Sequence, residues 1–194
     1  MNYPTGIKKS YKKVTTYDNR GMTLEEDINI TNEYYLNNNI ACIYKKPTPI
    51  GIVKVDYKNG NDVVIKEAYF KTPSTTDYNG IYKGKYIDFE AKETMVINFP
   101  LANIHEHQIK HLDNISKMGG IGFLIVSFVK VNEIYVLSSD KLQLFLKNSK
   151  RKSIPLEYFK VNGYKIDLKY NLRLDYIKIV DKLIEGEKYE YKNN

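Results

Sequence analysis

Cysteine is nearly absent from this sequence of 194 residues: Cys42 stands alone, between Ala41 and Ile43. A lone thiol excludes an intramolecular disulfide and a cysteine-rich zinc site, and its apolar neighbours predict a small buried hydrophobe. Long apolar runs are missing as well. None approaches the roughly 20 residues that span a bilayer, and the N-terminus has no apolar signal-peptide region, so the sequence reads as cytoplasmic, with no membrane contact. Histidine is sparse, and His105, His107 and His111 are the whole supply. His107 and His111 lie four apart, yet no third ligand set accompanies them and Glu106 completes no metalloprotease motif. Acidic residues are outnumbered: 30 Lys and Arg stand against 23 Asp and Glu, a formal charge of +7. That excess favours an anionic partner, nucleic acid before membrane.

The length suits one domain with a substantial core, expected over residues 20–188. Residues 1–19 carry Lys8, Lys9, Lys12 and Lys13 and almost no aliphatic side chains. They predict a disordered basic arm that can clamp phosphates. Thr23 and Glu26 make a capping box at the head of a helix over 24–36, which Asn37-Asn38-Asn39 ends. Ile40 to Tyr44 reads as a short strand that the Lys45-Lys46-Pro47-Thr48-Pro49 stretch must leave. Two extended runs follow, Ile50 to Tyr57 and Val63 to Phe70. Between them Asn59-Gly60 is a strong turn signal, giving a hairpin at about residues 48–72.

Further on, Asn79-Gly80 reads as a tight turn and Gly84-Lys85 as another, which leaves Ile81 to Lys83 too short for a core strand. Asn103 is expected to cap a helix reaching Ile115. Gly119-Gly120 breaks the chain before two inner strands, Ile121 to Val131 and Ile134 to Leu137. Ser138-Ser139-Asp140 opens a helix over 141–146. Lys147, Lys150, Arg151 and Lys152 form the densest basic run, either a solvated loop or a phosphate contact. Tyr164 to Leu174 is weakly extended, a last amphipathic helix covers 175–184, and the tail frays over 189–194.

The chemistry concentrates in residues 75–92, Thr-Thr-Asp-Tyr-Asn-Gly-Ile-Tyr-Lys-Gly-Lys-Tyr-Ile-Asp-Phe-Glu-Ala-Lys. Alternation from Tyr86 to Lys92 is a strand pattern. It puts Asp88, Glu90 and Lys92 on one face and turns Ile87, Phe89 and Ala91 towards a core. Unpaired buried charge is very costly, so such a strand wants a cation or an anionic substrate beside it. The triplet Glu90-Ala91-Lys92 alone is common in lysine-rich chains and equally describes a solvated edge strand. Asp77 can lie opposite Glu90 across a hairpin, but spacing leaves open whether Asp77 or Asp88 would bind a metal.

An acidic residue, a gap, then Glu90-Ala91-Lys92 resembles the motif of the PD-(D/E)xK nucleases. More of the chain resembles one family within them. The blocks Asn19-Arg20-Gly21-Met22-Thr23-Leu24-Glu25, Tyr44-Lys45-Lys46-Pro47-Thr48-Pro49, Thr75 to Gly84, Tyr86 to Thr94, Phe99-Pro100-Leu101 with His107-Gln108, and Arg173 to Ile177 are similar to the RecU family of Holliday junction resolvases. They come in that family's order and span the chain from about Arg20 to Ile184.

The resemblance implies a restriction-endonuclease-like α/β fold, a mixed β-sheet flanked by helices with a protruding two-stranded stalk, the hairpin at 48–72. It implies Mg²⁺, with Mn²⁺ as substitute, held by Thr75, Asp77, Glu90 and Gln108, and Lys92 as the group that orients water or stabilises the transition state. Glu26 and Asp88 then become supporting residues behind the metal. Arg20, Lys54, Lys58, Lys66, Lys147, Lys150, Arg151 and Lys152 are candidate DNA contacts. The expected substrate is a four-way junction, cut in both strands by a homodimer, with room for a recombinase or branch-migration partner. A junction-binding or bridging protein in which cutting is secondary, or a nuclease for another branched or duplex DNA, is the competing reading.

Overall fold

A computed structural model describes residues 23–58, 62–71, 73–169 and 172–192. The basic arm, Arg20, the Asn59-Gly60 turn and the last two residues lie outside the described residues. Along the chain come helix α1 (Leu24–Asn37), strands β1 (Cys42–Lys45), β2 (Ile50–Lys58), β3 (Asp62–Phe70), β4 (Tyr78–Tyr82), β5 (Lys85–Thr94) and β6 (Asn98–Pro100), then helix α2 (Glu106–Lys117). Strands β7 (Ile121–Phe128) and β8 (Glu133–Ser138), helix α3 (Ser139–Asn148), strand β9 (Ser153–Pro155), helix α4 (Leu156–Asn162), strand β10 (Tyr164–Ile166) and helix α5 (Ile177–Lys192) complete it. No helix among the described residues is long and apolar enough to cross a membrane.

Six strands form one mixed sheet in the order β1-β4-β5-β7-β8-β10. Every pairing is antiparallel except β5 with β7, whose parallel crossover is made by α2. A parallel pair needs such a crossover and is covered on both faces. Here α1 and α5 cover one face, and α2, α3 and α4 the other. On the first face Phe89 is stacked between the rings of Tyr78 and Phe123, each 4.8 Å away and nearly parallel to it. Tyr176 tilts onto Phe89 at 5.3 Å and gives its hydroxyl to Asn32 of α1. This aromatic row ties β4, β5 and β7 together, which fixes where the polar faces of the same strands must point. The arrangement is a mixed sheet with helices on both faces.

Strands β2 and β3 take no part in that sheet. They pair only with each other, from Ile50 opposite Phe70 out to Lys58 opposite Asp62, with the register shifting on either side of Lys54. Val53, Tyr57, Val63, Val64, Tyr69 and Phe70 are all exposed, so the ribbon stands off the body with side chains in solvent on both faces.

Several expectations are corrected. Cys42 is exposed, because β1 alternates and it is Ile43 that turns inward. Asn79-Gly80 makes no turn but lies within β4, which is a core strand running through Ile81 to Tyr82. Gly80 is there because β1 passes so close: an added Cβ would sit 2.1 Å from the carbonyl oxygen of Cys42. The turn falls instead at Lys83-Gly84, where both residues take positive φ, 48° and 75°, as a tight hairpin between twisted strands requires. Asn103 closes a short 3-10 turn, and His105 is the residue that caps α2. Val129 to Val131 leaves the strand as another 3-10 turn. Among the described residues of the stretch 164–174, only Tyr164 to Ile166 is strand.

Candidate active site

Strand alternation places the side chains of Asp88, Glu90 and Lys92 on the face that α2 covers. Asp88 and Glu90 are wholly buried. Tyr78 pairs with Phe89, so one step further Asp77 stands across from Glu90. The contact is made by backbone: the Asp77 N–H donates to Glu90 Oε2 at 3.0 Å. The Lys92 ammonium lies against the other oxygen, Oε1. That oxygen is sealed from solvent and has no hydrogen bond of sound geometry, only the charge beside it. Burial pushes the Glu90 carboxyl up to about 7, with Lys92 pulling it back and the Asp77 carboxylate pushing it further. A buried acid that keeps its proton near neutrality is a common mark of a functional site.

Beside these groups opens a cleft of about 470 Å³, lined by Asp77 from the loop before β4, by Lys92 and Glu93 from β5 and by Glu25 and Glu26 from the first turn of α1. Glu26 is tied into the helix cap, accepting the Thr23 N–H at 2.8 Å. Glu93 accepts the Leu24 N–H at 3.0 Å. Both carboxylates thus answer the unpaired amides at the head of α1, and Glu26 shares the cleft with Asp77 and Lys92. Thr75 precedes Asp77 in the same loop, its hydroxyl bonded to the Thr76 carbonyl at 3.4 Å. Gln108 is buried on α2 with its carboxamide oxygen accepting the His105 N–H at 2.9 Å. That oxygen has a second lone pair, with which it could serve as a ligand.

Among the described residues no three His, Cys, Asp or Glu side chains form a ready metal cage. The donor set here is two carboxylates with a hydroxyl and an amide in reserve. All are oxygen donors, and a hard cation such as Mg²⁺ that keeps several waters needs few protein ligands. The buried Glu90 Oε1, held only by an ammonium charge, is an oxygen such a cation would take. The residues fit the group.

Asp88 serves elsewhere. Thr76 donates its hydroxyl to Oδ1, and Oδ2 is met by Lys46 Nζ at 2.8 Å, the Tyr86 hydroxyl at 3.0 Å and His111 Nε2 at 3.2 Å. With four partners it is a fully satisfied buried carboxylate. Strand alternation could have pointed to Tyr86, two residues earlier on the same face. Nothing in the linear sequence pairs Lys46 or His111 with Asp88, because both come from other elements.

The candidate DNA contacts divide. Lys147, Lys150, Arg151 and Lys152 are exposed, at the end of α3 and in the loop before β9. Lys54 is exposed on the hairpin, whereas Lys66 there is paired with Asp56 at 2.7 Å. Lys58 ends β2.

A family profile described as Recombination protein U (RecU) matches residues 19–182. The Holliday junction resolvase RecU of Pediococcus pentosaceus is 50% identical over 198 residues, covering 96% of this chain and 98% of that one. The protein of the same name from a Geobacillus species is 54% identical over 171 residues, 86% and 85% of the two chains. That of Staphylococcus aureus is 48% identical over 205 residues, 96% and 98%. Among solved structures, the Holliday junction resolvase Hjc of Archaeoglobus fulgidus aligns with a TM-score of 0.43 at 9% identity, over 73% of this chain and 92% of that one.

Proposed function

This chain belongs to the RecU family, and from that premise we propose that it resolves Holliday junctions by metal-assisted hydrolysis of phosphodiester bonds. The observation that carries the chemistry is the meeting of Asp77, Glu90 and Lys92 at one buried corner beside an open cleft. Asp77 and Glu90 would hold Mg²⁺ or Mn²⁺, with Thr75 and Gln108 as further oxygen donors. The cation would polarise a phosphate oxygen and lower the pKa of attacking water.

The chain's own residues set the remaining conditions. Glu90 must give up its proton, which the neighbouring Lys92 charge assists. Lys92, released from Glu90 once that carboxylate has a cation, would orient the attacking water and stabilise the charge growing on the phosphate. Glu26 and Glu93 hold the head of α1 against the cleft. Lys54, with the exposed run at Lys147 to Lys152, supplies attraction to the DNA backbone that carries no sequence information. Two strands must be cut symmetrically, which requires two sites related by a two-fold axis, hence a homodimer.

The test is cleavage of an end-labelled synthetic four-way junction beside linear duplex, with and without Mg²⁺. Paired symmetric cuts in the junction, abolished by a chelator, are expected. Tight junction binding with no cutting in Mg²⁺ would instead favour a bridging role.

A further inference from the structure

Lys46 joins the exposed hairpin to the loop that carries Asp77. The hairpin is inserted between β1 and that loop: its outgoing leg starts at Lys46, and its returning leg runs from Phe70 into Thr75-Thr76-Asp77. Lys46 closes the insertion at its root. Its N–H donates to the Asp77 carbonyl at 2.7 Å, and its ammonium donates to Thr76 Oγ1 at 3.1 Å and to Asp88 Oδ2 at 2.8 Å. Next come Pro47 and Pro49, whose rings fix φ and stiffen the arm leading to β2. The Lys71 N–H donates to the Pro49 carbonyl at 2.9 Å, drawing the two legs together. A displacement of the ribbon therefore reaches Lys46 with little slack to absorb it.

We propose that Lys46, anchored on Asp88, is a positioning residue that relays the hairpin's engagement with branched DNA to Asp77. This rests on the reading of the chain as a junction nuclease. The Lys46 side chain is 19% exposed and its charge is spent on Asp88, so it is poorly placed to serve as a phosphate contact. Its effect should then appear in the rate of cutting and the order of the 75–77 loop, while affinity is left alone.

The experiment uses the full chain and its Lys46→Met variant. Loss of one partner of a buried ion pair can unfold a protein, so the double variant Lys46→Met/Asp88→Asn, which removes both charges, is made beside it. Amide hydrogen exchange is followed at Thr76, Asp77 and the hairpin, in chelator, with and without a synthetic four-way junction. In the unsubstituted protein the junction is expected to change exchange both in the hairpin and at Thr76 and Asp77. In either variant exchange at Thr76 and Asp77 should be faster without DNA, and the junction should alter only the hairpin. Cleavage in Mg²⁺ should fall about 10- to 100-fold at saturating enzyme, the usual loss for a residue that supports a metal ligand, with junction affinity within about twofold.

Two results overturn the relay. One is a response at Thr76 and Asp77 that survives removal of Lys46. The other is no response there in the unsubstituted protein, which would make the root an insulator. Should the unsubstituted protein fail to cut junctions in Mg²⁺, the nuclease reading falls, and the exchange data still decide whether Lys46 couples the two segments.

Discussion

A proton and a divalent cation compete for Glu90, because burial pushes its carboxyl up to about 7. The folded protein holds that proton more tightly than the unfolded chain does. Its contribution to stability is therefore complete below the ordinary carboxylate range and is lost as the pH rises from there through about 7. Cation binding asks for the opposite form, so each binding event releases a proton below that point. The Mg²⁺ concentration for half-maximal cleavage should rise about fivefold between pH 7 and pH 6, as a metal titration at the two pH values would read. Glu90→Gln keeps the shape and removes the charge. It should lower cleavage about a hundredfold or more while a binding titration in chelator finds junction affinity nearly unchanged. Glu90 and Lys92 were legible as partners on one face because strand alternation is a local rule, but the same rule selects Asp88, and Asp77, which precedes β4, came only from the family resemblance. Lys46 was not legible, since its partner Asp88 lies four elements away, and no local pattern pairs residues over that distance. The same blindness misplaced Cys42, where an apolar neighbourhood said nothing about which face of β1 the thiol would take.

Among the elements, Asn79-Gly80 shows how a strong turn signal is overruled. Glycine there serves a close strand crossing, with the added Cβ of Gly80→Ala only 2.1 Å from a backbone oxygen that cannot swing away. That substitution should cost about 1–3 kcal/mol, the range for overpacking, measured by the midpoint shift in urea. A change at Gly84, where a Cβ meets nothing, carries only the cost of positive φ. The hairpin is the opposite case: two nine-residue strands legible from their β-branched runs and realised as a separate sheet. Cutting it back to a short turn near Pro49 and Lys71 should leave the six-stranded core folded, since the core strands pair without it. Junction affinity should fall at least tenfold with duplex affinity little changed, in paired titrations at one salt concentration. An unaltered preference for junctions in the folded, shortened protein would remove the hairpin from recognition. The short strands β6 and β9 escaped notice because three-residue pairings carry too little pattern to register.

At the scale of the whole molecule, the formal charge of +7 and the exposed run at Lys147 to Lys152 make DNA binding an exchange of counterions. Affinity should fall roughly a thousandfold between about 50 and 200 mM salt, as for a protein that makes about six phosphate contacts. A plot of log affinity against log salt reads the slope directly. The sheet's one parallel pairing has a different consequence, which concerns time. Glu90 is shut in against Leu124 of β7, a strand that the chain reaches only after α2 has been made and crossed over. Parallel pairing of distant segments is the slow kind of event in folding. Until it happens, Glu90 stays in water as an ordinary carboxylate and nothing holds Asp77 opposite it. An unfinished chain on the ribosome therefore presents basic side chains that can hold DNA but no corner able to cut it. The cutting corner closes only once the chain has passed β7, so that copies ending before that strand pose no cutting hazard to the chromosome beside which they are made.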